Sequence, residues 1–377
     1  MGPPDSRAQG EAVRGAQLIS ALVWTGHDIV EVAPAVELGP NTGNMFFAPV
    51  AVATPLRLTE RSEAFFGGCG EAMTIASVLR ESDSFSSIDL ADASAWRGRV
   101  DLRLKKLLPP ADSAPKSLTG AVRDICLGPG KRVRPLLAML SSAHFGGREL
   151  AALDFGCALE LIHTASLVLD DLPCMDDAVM RRGKLTLHRR FGEDTAVLAA
   201  VALLNHAYGV IASDATVDSK TRLALIALLS ETVGFRGLVS GQFRDLRDPE
   251  ALRDELTLTS LNYQKTGVLF AAAMVGGAMI AGADQAAQMQ ARLFANRLGL
   301  AFQLWDDLQD SISTPEAIGK DVRKDDGRVT FVTLWGEERT RVAIAETIDE
   351  ALASFGDSNC PLAHYALNLF HYAGYGS

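Results

Sequence analysis

Residues 159–188 read LELIHTASLVLDDLPCMDDAVMRRGKLTLH, and this stretch decides how the fold is interpreted. It begins as an apolar helix. Four aspartates then follow within eight residues: Asp170, Asp171, Asp176 and Asp177. Because residues three, four or seven positions apart share one face of a helix, His163, Ser166 and Asp170 are expected to point the same way.

Carboxylates packed this closely repel one another unless a cation lies between them. Mg²⁺ prefers oxygen ligands and commonly takes one or two carboxylates together with substrate phosphates. Arg181 and Arg182 follow at once, and guanidinium groups make bidentate contacts with phosphate. The combination of acids, metal and arginines predicts a clamp for a diphosphate.

A second acidic stripe lies far along the chain, in AFQLWDDLQD at residues 301–310. Gln303, Asp306, Asp307 and Asp310 fall at i, i+3, i+4 and i+7, so they share one helix face. Such a stripe alone is more often a solvated face. Here the apolar flanks leave little of the helix to face water, and buried acids need partners. We therefore expect two acidic walls facing each other across a cavity, with divalent metals and a diphosphate between them.

Bulk properties narrow the class of protein. The chain has 377 residues, of which 48% are hydrophobic, so it can bury a large core. A net charge of −10 argues against a nucleic-acid partner. Five scattered cysteines without metal-ligand spacing favour a reducing, cytoplasmic location. The N-terminus lacks signal-peptide order, and the longest apolar run, 268–283, is shorter than the roughly 18 residues of a spanning helix. No transmembrane segment is therefore expected.

Two parts of the chain differ in amino-acid composition and periodicity. Residues 1–85 are rich in Gly, Pro, Ala and Thr with one β-leaning piece at 46–53, and are expected to be a poorly ordered or atypical N-terminal extension. Residues 86–377 form the predicted catalytic domain. Strand alternation is almost absent there, so the predicted class is all-α. Helices are predicted over 90–107, 117–127, 133–145, 149–172, 193–213, 219–246, 255–281, 284–312, 328–354 and 360–372.

Five blocks together resemble one known family: GKRVRP, HTASLVLDDLPCMDDAVMRRG, GQFRDL, KTGVLF and DDLQD. They are similar to the trans-isoprenyl diphosphate synthases, the polyprenyl synthetase family, and most of all to the bacterial geranylgeranyl diphosphate synthases of carotenoid biosynthesis. The resemblance implies a bundle of long helices around a central cavity, usually a homodimer. It also implies condensation of isopentenyl diphosphate with an allylic diphosphate, assisted by about three Mg²⁺ ions.

The resemblance assigns the isopentenyl diphosphate site to Lys131, Arg134, His163 and Arg182. Lys131, Arg132 and Arg134 are three cations beside a helix start, which suits an anion. Without the other blocks, a plain basic loop and a core histidine would be the simpler interpretations.

The resemblance assigns the metal ligands to Asp170, Asp176 and Asp306. Asp171 supports the first wall, and Arg181 holds the allylic diphosphate.

Between the walls, Gln242, Asp245, Lys265 and Thr266 match residues that contact the allylic substrate and its metal-water shell. Lys265 assists departure of the diphosphate, while Thr266 and Gln303 face the developing allylic cation, whose charge needs preorganised dipoles in a dry site.

Asp307 and Asp310 complete the second wall. Downstream, Lys320 matches a second diphosphate lysine of the family, whereas Arg328 stands where the family has another lysine. This departure keeps the charge but replaces a point donor with a planar fork. The segment before Lys320 is also longer than usual, so closure over the diphosphate is expected to differ.

Product length is expected to depend on Ala165 and Ser166, one turn before Asp170. In the family, small residues there together with an inserted Pro173-Cys174 pair accompany twenty-carbon products, whereas an aromatic marks farnesyl length. The alternative is that both residues only pack between helices.

Other activities stay open from the sequence. A farnesyl or longer-chain polyprenyl diphosphate synthase shares every motif. A class I terpene cyclase lacks the isopentenyl site and has a different second metal motif, and a non-catalytic regulatory subunit tends to lose one acidic motif.

Overall fold

The computed structural model describes residues 21–24, 29–32, 86–148, 150–247, 254–312, 329–355 and 360–371. The chain divides into two units, Met1–Glu71 and Ala72–Ser377. In the first unit, β1 (Ala21–Trp24) pairs antiparallel with β2 (Ile29–Val32). The rest of the predicted extension, including the β-leaning piece at 46–53, lies outside the described residues.

The described part of the second unit is helical apart from one short hairpin. The helices are, in chain order, α1 (Ser86–Leu107), α2 (Lys116–Cys126), α3 (Val133–His144), α4 (Leu153–Asp170), α5 (Leu187–Phe191), α6 (Glu193–Ser213), α7 (Ser219–Val233), α8 (Leu238–Arg247), α9 (Glu255–Asn262), α10 (Val268–Ile280), α11 (Gln285–Ile312), α12 (Phe331–Trp335), α13 (Glu337–Ala353) and α14 (Pro361–His371). A π-turn, Tyr263–Gly267, joins α9 to α10, and the hairpin consists of β3 (Met180–Arg181) and β4 (Lys184–Leu185).

The all-α prediction is confirmed, and two predicted helices are divided at glycines. The predicted helix 219–246 separates into α7 and α8, where a Cβ on Gly237 would lie 1.9 Å from the carbonyl oxygen of Thr232. The predicted helix 328–354 is divided at Gly336, whose φ of 82° is a left-handed conformation that glycine adopts readily. The short helix α5 was not predicted, because five residues carry too little periodicity.

Helix α4 carries the first acidic motif and packs against α3, α6 and α10. Helix α10 is apolar along its length and nearly all of it is buried, so it has no polar face. The backbones of α3 and α10 approach closely, since a Cβ on Gly277 would lie 2.3 Å from the carbonyl oxygen of Ala138. The Ser141 hydroxyl donates to the Met274 carbonyl at 2.6 Å, which fixes the register of the two helices.

A buried ion pair joins the loop before α3 to the middle of α4. Arg132 is only 3% exposed, and its guanidinium donates to Glu160 at 2.9 Å and to Asp101 at 2.8 Å. It also donates to the backbone carbonyls of Cys126 and Gly128, at 3.0 and 2.8 Å. Removing one partner of a buried pair leaves the other charge unpaired, which costs about 3–5 kcal/mol.

Two helical stretches, Glu193–Ser213 and Ser219–Arg247, are long and apolar enough to cross a membrane by length and composition. Less than half of each apolar window is buried in the fold. Core helices of water-soluble proteins meet the same criteria, so the two stretches are only weak evidence for membrane-spanning helices. The expectation of no transmembrane segment stays a prediction. The apolar run at 268–283 consists of the buried helix α10 and the three residues that follow it.

We expect Glu160→Gln to lower the free energy of unfolding by about 3 kcal/mol, because Arg132 keeps its charge inside the protein without its buried partner. Urea unfolding of the purified protein measures this change. The matched control is Glu231→Gln, whose ion pair with Arg236 is long, at 3.8 Å, and exposed. The control should cost less than about 1 kcal/mol, and equal losses in the two variants would contradict the structural role of Glu160.

Candidate active site

The first acidic motif folds back on itself beyond α4. Asp170 is the last residue of the helix, and its carbonyl oxygen accepts the amide of Asp176 at 2.9 Å. The amide of Asp177 donates to the carbonyl of Leu172 at 3.0 Å, which closes the loop at residues 173–175. The extra loop residues therefore return the chain and place Asp176 next to Asp170.

Asp170 lies in a buried environment that disfavours its ionised form. Burial raises the pKa of Asp170 to about 6, and the charges of Asp176 and Asp171 raise it further. Lys265 and Arg181 act in the opposite direction but do not cancel the effect. A divalent cation beside these carboxylates would stabilise their ionised forms.

Asp171 has a protein partner of its own. Its carboxylate, 3% exposed, accepts from the Nη2 of Arg181 at 2.6 Å and from the Nε at 2.7 Å. Burial raises the pKa of Asp171, and the hydrogen bond from Arg181 opposes that shift. Asp171 therefore anchors Arg181 beside the acids, and its role in the reaction stays a prediction.

The hairpin after the acids separates the two arginines. Arg181 ends β3, whereas Arg182 and Gly183 form the turn with φ of 52° and 76°. A Cβ on Gly130 would lie 3.4 Å from the Nη1 of Arg182, whereas Arg181 is paired with Asp171. Arg181 thus lies with the acids, and Arg182 lies beside the basic loop before α3.

That loop and the first turn of α3 place two cations over aromatic rings. The Nζ of Lys131 lies 4.5 Å from the ring centroid of Trp305, and the Cζ of Arg134 lies 5.5 Å from that of Phe270. Burial lowers the pKa of Lys131, and the neighbouring Asp306 opposes this. Burial also lowers the pKa of Arg134 to about 10, so Arg134 remains charged at neutral pH. The basic pocket therefore meets the second acidic wall at Asp306.

The basic residues include one buried donor without an acceptor in the described part of the chain, and a neutral histidine lies beside them. The Nε of Arg134 is buried and has no hydrogen-bond partner among the described residues. Burial, reinforced by the charges of Arg134 and Arg182, holds the pKa of His163 well below its ordinary value. A neutral imidazole can still donate one N–H. An oxyanion would satisfy these groups.

Arg132 does not belong to this pocket. All its described bonds run inward, to Asp101, Glu160 and two carbonyls. Of the three cations beside the helix start, only two are therefore available to a ligand.

Close contacts at glycines place the π-turn between the walls. A Cβ on Gly241 would lie 2.8 Å from the amide nitrogen of Lys265, and one on Gly299 would lie 3.2 Å from the Cα of Gly267. Helices α8 and α11 therefore touch the backbone of the turn directly. A π-turn of this kind is common at functional sites because it redirects side chains within a helix. Here it presents Lys265 and Thr266 to the site.

The side chains of the turn are held by both neighbouring helices. Lys265 Nζ forms an ion pair with Asp245 of α8 at 2.5 Å. Gln242, one turn earlier on α8, lies near the first motif, with its Nε2 3.9 Å from the sulfur of Met175. On the other side, the Thr266 hydroxyl donates to Gln303 of α11 at 3.0 Å.

The second wall continues this hydrogen-bonded chain. Gln303 Nε2 donates to Asp307 Oδ1 at 2.8 Å, and the amide of Phe331 donates to Asp307 Oδ2 at 3.0 Å. Asp306 and Asp310 are partly buried on the same helix face. The stripe predicted on α11 is therefore present, and Asp307 within it is bonded to protein groups.

The structure does not test the roles predicted for four further residues. Ala165 is fully buried, and Ser166 is partly buried with its hydroxyl donating to the His163 carbonyl at 2.9 Å. Lys320 and Arg328 lie outside the described residues. The role of each of these residues stays a prediction.

The contact between Trp305 and Lys131 was not found from the sequence. The only signal was a large aromatic residue directly before Asp306, and its packing partner comes from a loop more than 170 positions earlier.

The donor set suits Mg²⁺. Asp170 and Asp176 provide adjacent carboxylates, and the described ranges contain no group of three His, Cys, Asp or Glu side chains able to hold an ion alone. Mg²⁺ typically takes one or two carboxylates and completes its shell with water and substrate phosphates. The fold and the site together define an all-α protein that brings an acidic and a basic set of side chains into one site.

The comparison with protein families agrees with this class. The family model described as polyprenyl synthetase matches residues 115–359. This chain therefore belongs to the polyprenyl synthetase family.

Relatives of known name are similar over most of their length. The geranylgeranyl diphosphate synthase of Pseudescherichia vulneris is 42% identical over 262 residues, covering 69% of this chain and 84% of the relative. That of Pantoea ananas is 41% identical over 248 residues, covering 64% and 81%. The dimethylallyltranstransferase of Fischerella ambigua is 35% identical over 310 residues, covering 78% and 89%.

Solved structures share the fold. A geranyltransferase from Helicobacter pylori, in complex with magnesium and isoprenyl diphosphate, superposes with a TM-score of 0.68 at 29% identity, covering 78% of this chain and 99% of that one. An FPP/GFPP synthase from Zymomonas mobilis gives a TM-score of 0.65 at 32% identity, covering 75% and 98%. The predicted isoprenoid-synthase bundle is confirmed.

We expect Trp305→Leu to weaken the binding of inorganic diphosphate about fivefold, because Lys131 loses the aromatic face that holds its ammonium group in the pocket. Isothermal titration calorimetry measures the change. Trp335→Leu is the matched control, since the ring of Trp335 lies under Arg339 and not under Lys131. Equal affinities of the wild-type protein and Trp305→Leu would contradict the role given to this contact.

Proposed function

We propose that this protein is a Mg²⁺-dependent prenyltransferase that condenses isopentenyl diphosphate with allylic diphosphates to make geranylgeranyl diphosphate. Relatives that are 38–42% identical bear the name geranylgeranyl diphosphate synthase. The structural observation that carries the proposal is the divergence of Arg181 and Arg182 from one hairpin. One arginine serves the acidic wall and the other serves the basic pocket, so two diphosphates can bind side by side.

The allylic diphosphate is assigned to the acidic side. Asp170, Asp176 and Asp306 would hold about three Mg²⁺ ions, which supply Lewis-acid charge that stabilises the leaving diphosphate. Arg181, fixed by Asp171, binds a diphosphate oxygen. Lys265 reaches the bridging oxygen, so its positive charge favours cleavage of the C1–O bond.

Cleavage leaves a positive charge on the allylic carbons. The oxygen of Thr266 and the amide of Gln303 face this charge with their negative ends. Because they are already held in place by hydrogen bonds, they need no reorganisation during the reaction. Thr266 and Gln303 are both partly buried, and restricting the access of water would protect the cation from hydrolysis.

Isopentenyl diphosphate is assigned to the basic pocket, where Lys131, Arg134, His163 and Arg182 bind its oxygens. Its terminal alkene carbon attacks C1 of the allylic cation and forms the new carbon–carbon bond. A proton then leaves C2 of the isopentenyl unit, which restores a double bond, and the released diphosphate accepts it. Lys320 and Arg328 are assigned to the binding of diphosphate oxygens.

We assign the uncovered apolar faces of α6 and α7 to a homodimer interface. Val197, Leu198 and Val201 of α6 and Leu223 of α7 are between 40% and 68% exposed. Contiguous exposed apolar side chains of this kind mark association surfaces. Light scattering on the purified protein distinguishes a dimer from a monomer.

A cytoplasmic location fits the cysteines. The four described ones are all free thiols: Cys126, Cys157, Cys174 and Cys360. Free thiols persist where the compartment is reducing.

We expect Asp170→Asn and Asp306→Asn each to lower turnover by on the order of 10³-fold, since each removes a charge that binds Mg²⁺. The assay supplies labelled isopentenyl diphosphate with dimethylallyl, geranyl or farnesyl diphosphate, and EDTA should abolish the product of the wild-type protein. Asp218→Asn is the control, because Asp218 caps α7 outside the site and asparagine caps a helix equally well. Undiminished turnover of folded Asp170→Asn, or hydrocarbon released from farnesyl diphosphate alone, would contradict the proposal.

We expect Ser166→Phe or Ala165→Tyr to shift the main product from twenty carbons to fifteen, because an aromatic ring one turn before Asp170 blocks the growing tail. Radio-chromatography of the products measures chain length. Ala212→Tyr, at an exposed position of α6, is the control and should leave the twenty-carbon product unchanged. An unchanged product in both variants would show that these residues only pack between helices, and wild-type products beyond twenty carbons would indicate a longer-chain synthase.

A further inference from the structure

Asp307 stands at the centre of a hydrogen-bonded chain that crosses three elements of the fold. The chain runs from the Thr266 hydroxyl to Gln303, from Gln303 to Asp307, and meets the amide of Phe331 from the other side. All three hydrogen bonds are between 2.8 and 3.0 Å long. Each oxygen of the Asp307 carboxylate accepts one of them.

The carboxylate fixes the direction of every hydrogen bond in this chain. An ionised aspartate can only accept, so the side of Gln303 that faces Asp307 must be its NH₂ group. The amide oxygen of Gln303 is then turned toward Thr266, and the threonine hydroxyl must donate to it. As a result, the lone pairs of the Thr266 oxygen are left on the side away from Gln303.

The far end of the chain is rigid. Phe331 is fully buried at the start of α12, and its ring lies 4.8 Å from that of Trp335. The indole of Trp335 in turn donates to Glu255 of α9 at 3.3 Å. The backbone amide that holds the second oxygen of Asp307 therefore cannot move without disturbing the core.

We propose that Asp307 is a positioning residue, which orients Gln303 and Thr266 so that both present oxygen lone pairs to the allylic cation, and that it is not a metal ligand. This inference rests on the proposed prenyltransferase activity and adds to it a division of labour within the second wall. Asp306 lies beside Lys131 of the basic pocket, whereas Asp307 bonds to protein donors.

The substitution Asp307→Asn reverses the chain. The Phe331 amide still needs an acceptor, so the asparagine oxygen takes that place and its NH₂ group faces Gln303. Gln303 then turns over and donates to the Thr266 oxygen. The threonine hydrogen is displaced toward the substrate, where it opposes the developing positive charge.

The expected result for Asp307→Asn is a fall in kcat of about 100-fold, comparable to the loss of one preorganised dipole. The KM values for both diphosphates and the Mg²⁺ concentration at half-maximal rate should stay within about twofold of the wild type, because ground-state binding is unchanged. A merely structural role would lower thermal stability without this separation of kcat from KM. Asp218→Asn is again the matched control.

A reciprocal exchange tests the direction of the hydrogen bonds. In the double variant Asp307→Asn with Gln303→Glu, the asparagine donates to the glutamate, and the second glutamate oxygen again accepts from Thr266. The total charge is that of the wild type. We expect the double variant to recover at least about tenfold of the lost kcat, a strong departure from additivity.

Gln303→Glu alone provides the same test if Asp307→Asn does not fold. It places two carboxylates against each other where the present hydrogen bond is 2.8 Å long, so kcat should fall and adding Asp307→Asn should restore it. A rise of more than about tenfold in the Mg²⁺ requirement of Asp307→Asn, or no recovery in the double variant, would overturn the positioning role. A wild-type protein that forms no prenyl product would instead overturn the proposed function.

Discussion

The ion pair between Arg132 and Glu160 connects the two halves of the site. Glu160 lies in the same helix as Asp170, and Arg132 lies between the two pocket cations Lys131 and Arg134. Because both charges are buried, neither partner can leave without a large desolvation cost. Together with the packing of α3 against α4, this ion pair helps to fix the position of the basic residues relative to the acidic wall.

Close backbone contacts at glycine residues are the second constraint on the geometry of the site. Gly241 and Gly299 allow α8 and α11 to touch the π-turn, and a side chain at Gly241 would press α8 away from the backbone of the turn. The turn carries Lys265 and Thr266, so the placement of these two residues depends on the absence of side chains at positions that have no chemistry of their own. Small shifts at those positions would change the orientation of groups that act on a developing charge.

The sequence predicted the helices and the acidic motifs, but it did not predict which side chains contact one another. The acidic motifs and the all-α class follow from local spacing, because helical periodicity is a property of neighbouring residues. Lys265 was assigned by the family resemblance alone. The inward turn of Arg132 and the contact of Trp305 with Lys131 could not be predicted, since each depends on residues distant in the sequence. The helix breaks at Gly237 and Gly336 were missed because glycine is tolerated inside a helix unless tertiary contacts exclude it.

Both acidic walls use adjacent aspartates in the same way, and helix geometry explains why. Consecutive residues of a helix point about 100° apart, so two neighbouring carboxylates cannot both face one ligand. In the first pair, Asp170 lies near Lys265 while Asp171 bonds to Arg181. In the second pair, Asp306 lies near Lys131 while Asp307 bonds to Gln303 and Phe331. In each pair, therefore, one carboxylate lies near a lysine, and the other accepts hydrogen bonds from protein groups and holds them in position.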